Sequence, residues 1–229
     1  MVDYRRLRPN NITSPEFRHV LLLLFWIVFG MLFGAAERLF SRTYHAVWCP
    51  LDDKIPFCEW FMIPYMFWFV FLVGMHLYLL LEDVPGFRRF MYFIMFTYSV
   101  TMVVYLVYPT CQELRPQEFP RDNFLTRFVA GFYQFDTNTN VCPSLHCVGS
   151  LAVVFASWHT ERFQKWGWKL AFTVTGVLIS VATVMVKQHS VIDVFWAYVL
   201  CVVGYVLVYV LPERVRKAGA VRWRAGTTI

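Results

Sequence analysis

Hydrophobic residues fall in six long runs separated by short polar stretches. The runs are His19 to Ala36, Trp60 to Leu81, Phe90 to about Tyr108, Pro143 to about Trp158, roughly Leu170 to Val186, and roughly Ser190 to Leu211. Most come close to the ~20 residues that carry a helix across a bilayer. Backbone N–H and C=O groups at that depth must pair within their own segment, so each run is predicted to be a helix. Pro109 and Pro212 mark the expected ends of the third and sixth runs, because proline has no N–H for the helical ladder. Pro143-Ser144 reads as a helix start with Ser144 as N-cap. The pattern predicts an all-α, polytopic membrane protein of about six transmembrane helices in one bundle. Its parts are an N-terminal segment 1–18, a membrane domain 19–211 and a basic tail 212–229. Gly34-Ala35-Ala36 has the small residues of a signal-peptidase site, but the run before it exceeds the about 7–15 residues of a signal core, so an uncleaved span is expected.

Composition agrees with lipid as the solvent. Of 229 residues, 58% are hydrophobic and 16% charged, against about 45–50% and about 25% in soluble domains. The net charge of +6 would raise nucleic acid as a partner for a soluble protein. Here the basic residues sit in short segments between apolar runs, so no nucleic-acid partner is expected and the charge reads as a topology signal. Fourteen Lys and Arg fall on the side of the termini and seven on the other. The positive-inside rule then places both termini in the cytoplasm. The loop after the third run, the start of the fourth and the join between fifth and sixth face outward. The six cysteines include no C-x2-C pair. Cys49 and Cys58 flank one outward loop and Cys111 and Cys142 another, either as disulfides or as free thiols. The pattern specifies no oligomeric state.

Three polar clusters reach the same membrane face: Glu113-Leu114-Arg115-Pro116, Cys142-Pro143-Ser144-Leu145-His146, and Lys187-Gln188-His189-Ser190-Val191-Ile192-Asp193. Ionisable residues at membrane depth are costly and point to function. His189 and Asp193 are four apart and share a helix face. A carboxylate there fixes the imidazole tautomer and frees the other nitrogen as nucleophile or base. His146 lies in the first turn of the fourth run, where helical N–H groups favour phosphate oxygens, and it can protonate a leaving oxygen. Arg115 suits a bidentate phosphate clamp, and Lys187 adds a charge beside the histidine. Each piece also has an inert reading: a self-satisfied ion pair, an N-cap with an incidental histidine, a snorkelling arginine. Zinc, held by two histidines and a carboxylate, fits less well beside Arg and Lys. His76, inside the second run, reads as an interhelical hydrogen bonder. The polar stretch Asp136-Thr137-Asn138-Thr139-Asn140 reads as a loop over the site.

The ordered set Arg115-Pro116, Pro143-Ser144-x-His146 and His189-x3-Asp193 resembles the type 2 phosphatidic acid phosphatase superfamily, the lipid phosphate phosphatases. That family's pattern is K-x6-R-P, P-S-G-H and S-R-x5-H-x3-D. The resemblance covers roughly 108–193. It implies that His189 attacks phosphorus to form a phosphohistidine, that Asp193 orients it and that His146 protonates the departing alcohol. It further implies that Arg115 and Ser144 hold phosphate oxygens, with no metal or other cofactor. The expected substrate is a lipid phosphomonoester or pyrophosphate met at an outward-facing site, with membrane lipids as the surroundings. The chain departs from the pattern at Tyr108, Leu145 and Ala182-Thr183, where the family has Lys, Gly and Ser-Arg. Lys187 is the candidate replacement for one missing cation. The variant third motif also resembles the inositol-phosphoceramide and sphingomyelin synthase branch, which implies phospho-headgroup transfer as an alternative. A non-catalytic anionic-lipid binding or transport protein is the third reading, supported by the missing clamps.

Overall fold

The computed structural model describes residues 2–38 and 43–215. Arg42 and most of the expected basic tail, including Arg216, Lys217, Arg222 and Arg224, lie outside the described residues. A short 3-10 stretch, Arg18–Leu23, runs into α1 (Leu24–Arg38). The five-residue α2 (Pro50–Lys54) lies in the following loop. Then come α3 (Met62–Glu82), α4 (Val84–Val107), α5 (Phe124–Phe135), α6 (Leu145–His159), α7 (Trp166–Met185) and α8 (Val191–Tyr205). The chain is an all-α membrane protein. Among the described residues, five helical stretches are long and apolar enough to cross a bilayer: Arg18–Glu37, Glu59–Glu82, Val84–Val107, Trp166–Met185 and Val191–Val215.

The fourth expected span, α6, differs. It has 15 residues, about 22 Å at 1.5 Å per residue, which is short of a ~30 Å hydrocarbon core. It has no need to reach across, because protein rather than lipid surrounds it. Every residue from Cys147 to Ser157 is buried, and α3, α4, α7 and α8 all pack on it. Small residues permit that approach. A Cβ on Gly149 would stand 2.9 Å from both the Trp68 Nε1 and the Tyr98 hydroxyl. The other helices turn large apolar side chains outward, among them Ile27, Met31, Ile63, Val70, Val103, Val202 and Val203, as helices facing lipid do.

Two boundaries and one helix depart from the sequence reading. The third span begins at Val84, not Phe90, because the Asp83 side chain accepts from the Gly86 N–H at 2.9 Å and Pro85 suits a first turn. Arg88 and Arg89 therefore belong to a helix rather than a loop. Pro212 does not end the last helix. A π turn, Val206–Val210, precedes it and the helix continues to Val215. There the Leu211 N–H reaches back to Val206 O, so the ladder is widened where Pro212 has no N–H to give. The amphipathic α5 was not foreseen. It is capped reciprocally by Asn123 and Thr126 and leaves Phe124, Phe128 and Phe135 exposed, which suits a helix lying at a membrane surface.

The bundle has two distinct ends. At one, the Tyr4 hydroxyl bonds Leu80 O at 2.5 Å and His19 Nε2 at 2.6 Å, while His159 approaches Glu213 at 3.8 Å. At the other, the α7–α8 turn, the start of α6 and the loops around 45–58 and 110–141 gather. His45–Ala46 pairs in parallel with Thr110–Cys111, and Cys111 bridges to Thr139, tying these loops together. All six cysteines are free thiols. His76 bonds between helices as expected, accepting from Trp26 Nε1 at 3.0 Å and contacting Leu72 O at 2.8 Å.

Candidate active site

The α7–α8 turn builds the first half of the site. The Gln188 N–H reaches Thr183 O and the Lys187 N–H reaches Val184 O, both within 3.1 Å, the bonding pattern of a Schellman helix end. Lys187 occupies the left-handed position with φ 56°, where glycine is usual. Its side chain is held: Nζ donates to Asp52 O at 2.8 Å and Ile55 O at 2.5 Å. Burial lowers its pKa against the opposing pull of the Asp52 and Asp53 carboxylates. Three more segments grip the turn. Gln112 Nε2 donates to Lys187 O at 2.9 Å, the Tyr133 hydroxyl to Val186 O at 2.6 Å, and the Cys58 N–H to Met185 O at 3.0 Å.

From this turn α8 starts in a capping box. Asp193 Oδ2 accepts from the Ser190 N–H at 2.9 Å and lies 3.2 Å from His189 Nδ1. One carboxylate oxygen thus caps the helix and orients the imidazole, leaving His189 Nε2 for chemistry. Asp52, fully buried in α2, supports the same helix start. It accepts from the Ser190 hydroxyl at 2.6 Å, the Val191 N–H at 2.9 Å and the Cys49 N–H at 2.9 Å. Nearby, burial and the Asp193 charge keep the Cys142 thiol well above its ordinary pKa, so it stands neutral.

The second half comes from α6. Ser144 is its N-cap, its hydroxyl accepting from the Cys147 N–H at 3.4 Å, and its own N–H donates to Asp193 O at 3.2 Å. Tyr105 and Tyr98 of α4 donate to Pro143 O at 2.7 Å and Leu145 O at 3.3 Å, fixing the direction of the first turn. His146 then sits among aromatic rings, with centroids 4.4 Å from Tyr65 and 4.5 Å from Trp68. Its Nε2 is buried without a hydrogen-bond partner. The His146 and His189 rings are 5.9 Å apart.

Residues 136–141 roof these groups. Thr110 anchors the strap, its hydroxyl accepting from the Val141 and Cys142 N–H groups at 3.2 and 3.0 Å. Glu37 of α1 accepts from the Thr137 hydroxyl at 2.5 Å, the Thr139 hydroxyl at 2.9 Å and the Asn140 amide. Arg115 lies behind the strap, stacked 4.3 Å over the Tyr133 ring. It donates to Tyr133 O at 3.0 Å, Asp136 O at 2.6 Å and Gln188 Oε1 at 2.6 Å, and its Nε is buried and unpartnered. Asp136 Oδ2 accepts from the Tyr65 hydroxyl at 2.6 Å and Gln188 Nε2 at 3.2 Å. Burial raises the Asp136 pKa from its ordinary value, while Tyr65, His189 and Arg115 pull it back.

These elements enclose a cavity of about 250 Å³. Its walls include His146, His189, Gln188, Asp136, Thr137, Thr139 and Asn140, and aromatic rings of α1, α3, α4 and α5. The strap 136–140 lies over the site as its composition suggested. Of the residues singled out in the sequence, His146 and His189 meet on the wall, with Asp193 directly behind His189. Arg115, Ser144 and Lys187 do not line the cavity; Lys187 Nζ and the two terminal nitrogens of Arg115 bond to partners around it, while Arg115 Nε is left without one. The sequence reading missed Asp52, Glu37 and Tyr65. Asp52 carried a faint signal, an acid two residues after Pro50 where a short helix begins. Glu37 and Tyr65 carried none, since an acid at the end of a span and an aromatic within one are ordinary. Among the described residues, no cluster of three or more His, Cys, Asp or Glu side chains is arranged to hold a metal ion.

The sequence profile of the PAP2 superfamily matches residues 89–217, a stretch that contains both histidines, Asp193 and the whole of α4 to α8 apart from the first turn of α4. Neither the curated proteins nor the solved structures give a match.

Proposed function

This chain belongs to the PAP2 superfamily, and from that premise we propose that it hydrolyses a phosphoester bond of a membrane lipid through a phosphohistidine on His189. The superfamily is in general one of phosphoester-cleaving enzymes, which gives the reaction class; the roles below are our reading. His189 Nε2 attacks phosphorus. The bond to the leaving oxygen breaks, its electron pair stays on that oxygen, and His146 supplies the proton. Water then attacks the phosphohistidine, His146 takes up the proton, and the P–N bond returns its electrons to Nε2. Asp193 holds the tautomer and offsets the charge that forms on the ring. Ser144, Lys187 and Arg115 hold the two histidine-bearing turns in register. The reading rests most heavily on one observation: two imidazoles from different helices stand 5.9 Å apart on one cavity wall, the right scale for one phosphoryl group between nucleophile and acid.

Headgroup transfer to a lipid alcohol is the second reading. The largely aromatic cavity wall favours it, because such a wall excludes water and leaves a second alcohol as competitor for the phosphohistidine. The basic-residue asymmetry supports cytoplasmic termini and an outward-facing site in both cases. The test is turnover by purified protein in liposomes carrying a panel of lipid phosphoesters, following free phosphate, phosphorylated headgroup and new lipid species together. Water-soluble products without new lipid support hydrolysis, and new phospholipid that needs an added lipid alcohol supports transfer. Unaltered turnover by folded His189→Ala protein would overturn both.

A further inference from the structure

The charge around the cavity runs opposite to what a phosphomonoester needs. A lipid phosphomonoester is close to a dianion, and sites for it present Lys or Arg. Among the described residues no Lys or Arg side chain lines this cavity. Arg115 is turned to Tyr133 O, Asp136 O and Gln188, and Lys187 to Asp52 O and Ile55 O. The wall instead presents the Asp136 carboxylate. Its hydrogen-bond donors, Tyr65 and Gln188, are neutral, and no ion pair to it forms among the described residues. Glu37 brings a second carboxylate to the strap, and it too receives only neutral donors, from Thr137, Thr139 and Asn140. The same cavity is lined by aromatic rings, including Trp26, Phe29, Tyr98 and Phe132. A carboxylate bonded only by neutral donors, with the Arg115 guanidinium held behind it on Asp136 O and Gln188, is open to an alkylammonium group from the aromatic cavity side.

We propose that the cavity takes a zwitterionic phosphodiester headgroup, its phosphate at His146 and His189 and its ammonium at Asp136 against the aromatic wall. The proposal rests on the reading that this cavity is the substrate site, and it names the substrate class. A phosphodiester carries one negative charge instead of two, so it needs fewer cationic clamps. Its own ammonium meets the Asp136 carboxylate from the cavity side, where no Lys or Arg side chain lines the wall among the described residues. The departures at Tyr108 and Ala182-Thr183, where the family pattern has cations, fall in place with such a substrate.

The test is equilibrium binding to purified protein in an uncharged maltoside detergent, read by the fluorescence of the cavity tryptophans. The probes are dodecylphosphocholine, its neohexyl isostere with a tert-butyl group in place of trimethylammonium, and dodecyl phosphate. Dodecylphosphocholine is expected to bind the wild type about tenfold or more tighter than the isostere, and tighter than dodecyl phosphate. Asp136→Asn should bring dodecylphosphocholine and isostere near parity, and Asp136→Glu should keep the preference. Equal binding of the two isosteres by the wild type, a lead for dodecyl phosphate, or a preference untouched by Asp136→Asn overturns the proposal. The wild-type comparison of isosteres decides by itself if Asp136→Asn does not fold. No turnover is required, so failure of the phosphohistidine chemistry would show in the liposome assay and not here.

Discussion

The imidazoles of His146 and His189 face each other across the cavity wall at 5.9 Å with their planes inclined by 62°. Only one is tied to a carboxylate: His189 Nδ1 is 3.2 Å from Asp193, whereas His146 Nε2 has no partner. With His189 as the proposed nucleophile and His146 as the proposed acid, this asymmetry makes their variants distinguishable. His146→Ala should lower turnover of an alkyl phosphoester by roughly 10²–10⁴. It should lower turnover of a nitrophenyl phosphoester far less, because nitrophenolate leaves without a proton. His189→Ala should abolish both. Equal losses for the two leaving groups in His146→Ala would contradict the assignment.

Asp52 predicts a second signature. Its buried carboxylate accepts from Ser190, Val191 and Cys49, and each buried donor left unsatisfied costs about 1–3 kcal/mol. Asp52→Ala should therefore lower the thermal midpoint by several degrees, at roughly 2–4 °C per kcal/mol for a chain of this size. Because the donors it releases begin the helix that carries Asp193, kcat should fall while KM for the lipid stays near the wild-type value. Asp52→Asn, which keeps an acceptor oxygen, should recover part of both. A fall in midpoint with kcat unchanged would reduce Asp52 to a purely structural role.

Lys187 separates anchoring from phosphate binding. Its φ of 56° suits glycine, and a non-glycine residue pays about 1 kcal/mol there. Lys187→Gly loses the bonds to Asp52 O and Ile55 O but gains an unstrained turn. Lys187→Ala loses the bonds and keeps the strain. Lys187→Gly should accordingly melt higher than Lys187→Ala and retain most turnover. If both variants lose activity alike at equal stability, the ammonium acts on substrate.

The pairing of His189 with Asp193 was legible in the sequence because their relation is local. Four residues put His189, in the turn before α8, beside Asp193 in the first turn of that helix, and Pro143-Ser144 fixed where the helix bearing His146 begins. The destinations of Arg115 and Lys187 were not legible. Each ends on backbone carbonyls far along the chain, Lys187 on residues 132 and 135 positions away, and no pattern records such a contact. The six apolar runs located the helices, but two ends moved for reasons that hydropathy does not carry: the Asp83 cap starts α4 early, and a π turn lets α8 pass Pro212. Helix α5 was hidden because its apolar face is short and interrupted, although Asn123 and Thr126 spell its cap.

Asp136 gives a prediction for stability against pH. Burial raises its folded-state pKa above the ordinary value. The native state thus binds this proton more tightly than the unfolded chain does, and stability is lost as pH rises from the unfolded to the folded pKa. Near neutral pH the ionised side chain is a net cost. Asp136→Asn should raise the thermal midpoint there, and the gain should vanish on acidification below the unfolded pKa of about 3.9. Thermal unfolding in detergent across that range checks it; a gain that grows on acidification has the wrong sign for a buried carboxylate.

The central claim is a covalent bond between phosphorus and one imidazole. Purified protein incubated with lipids labelled in the headgroup phosphorus, quenched in alkali and digested, should yield an alkali-stable, acid-labile label on the peptide containing His189. Asp193→Asn should retain it at reduced level and His189→Ala should carry none. Label that persists in His189→Ala, or that maps to His146, would contradict the account.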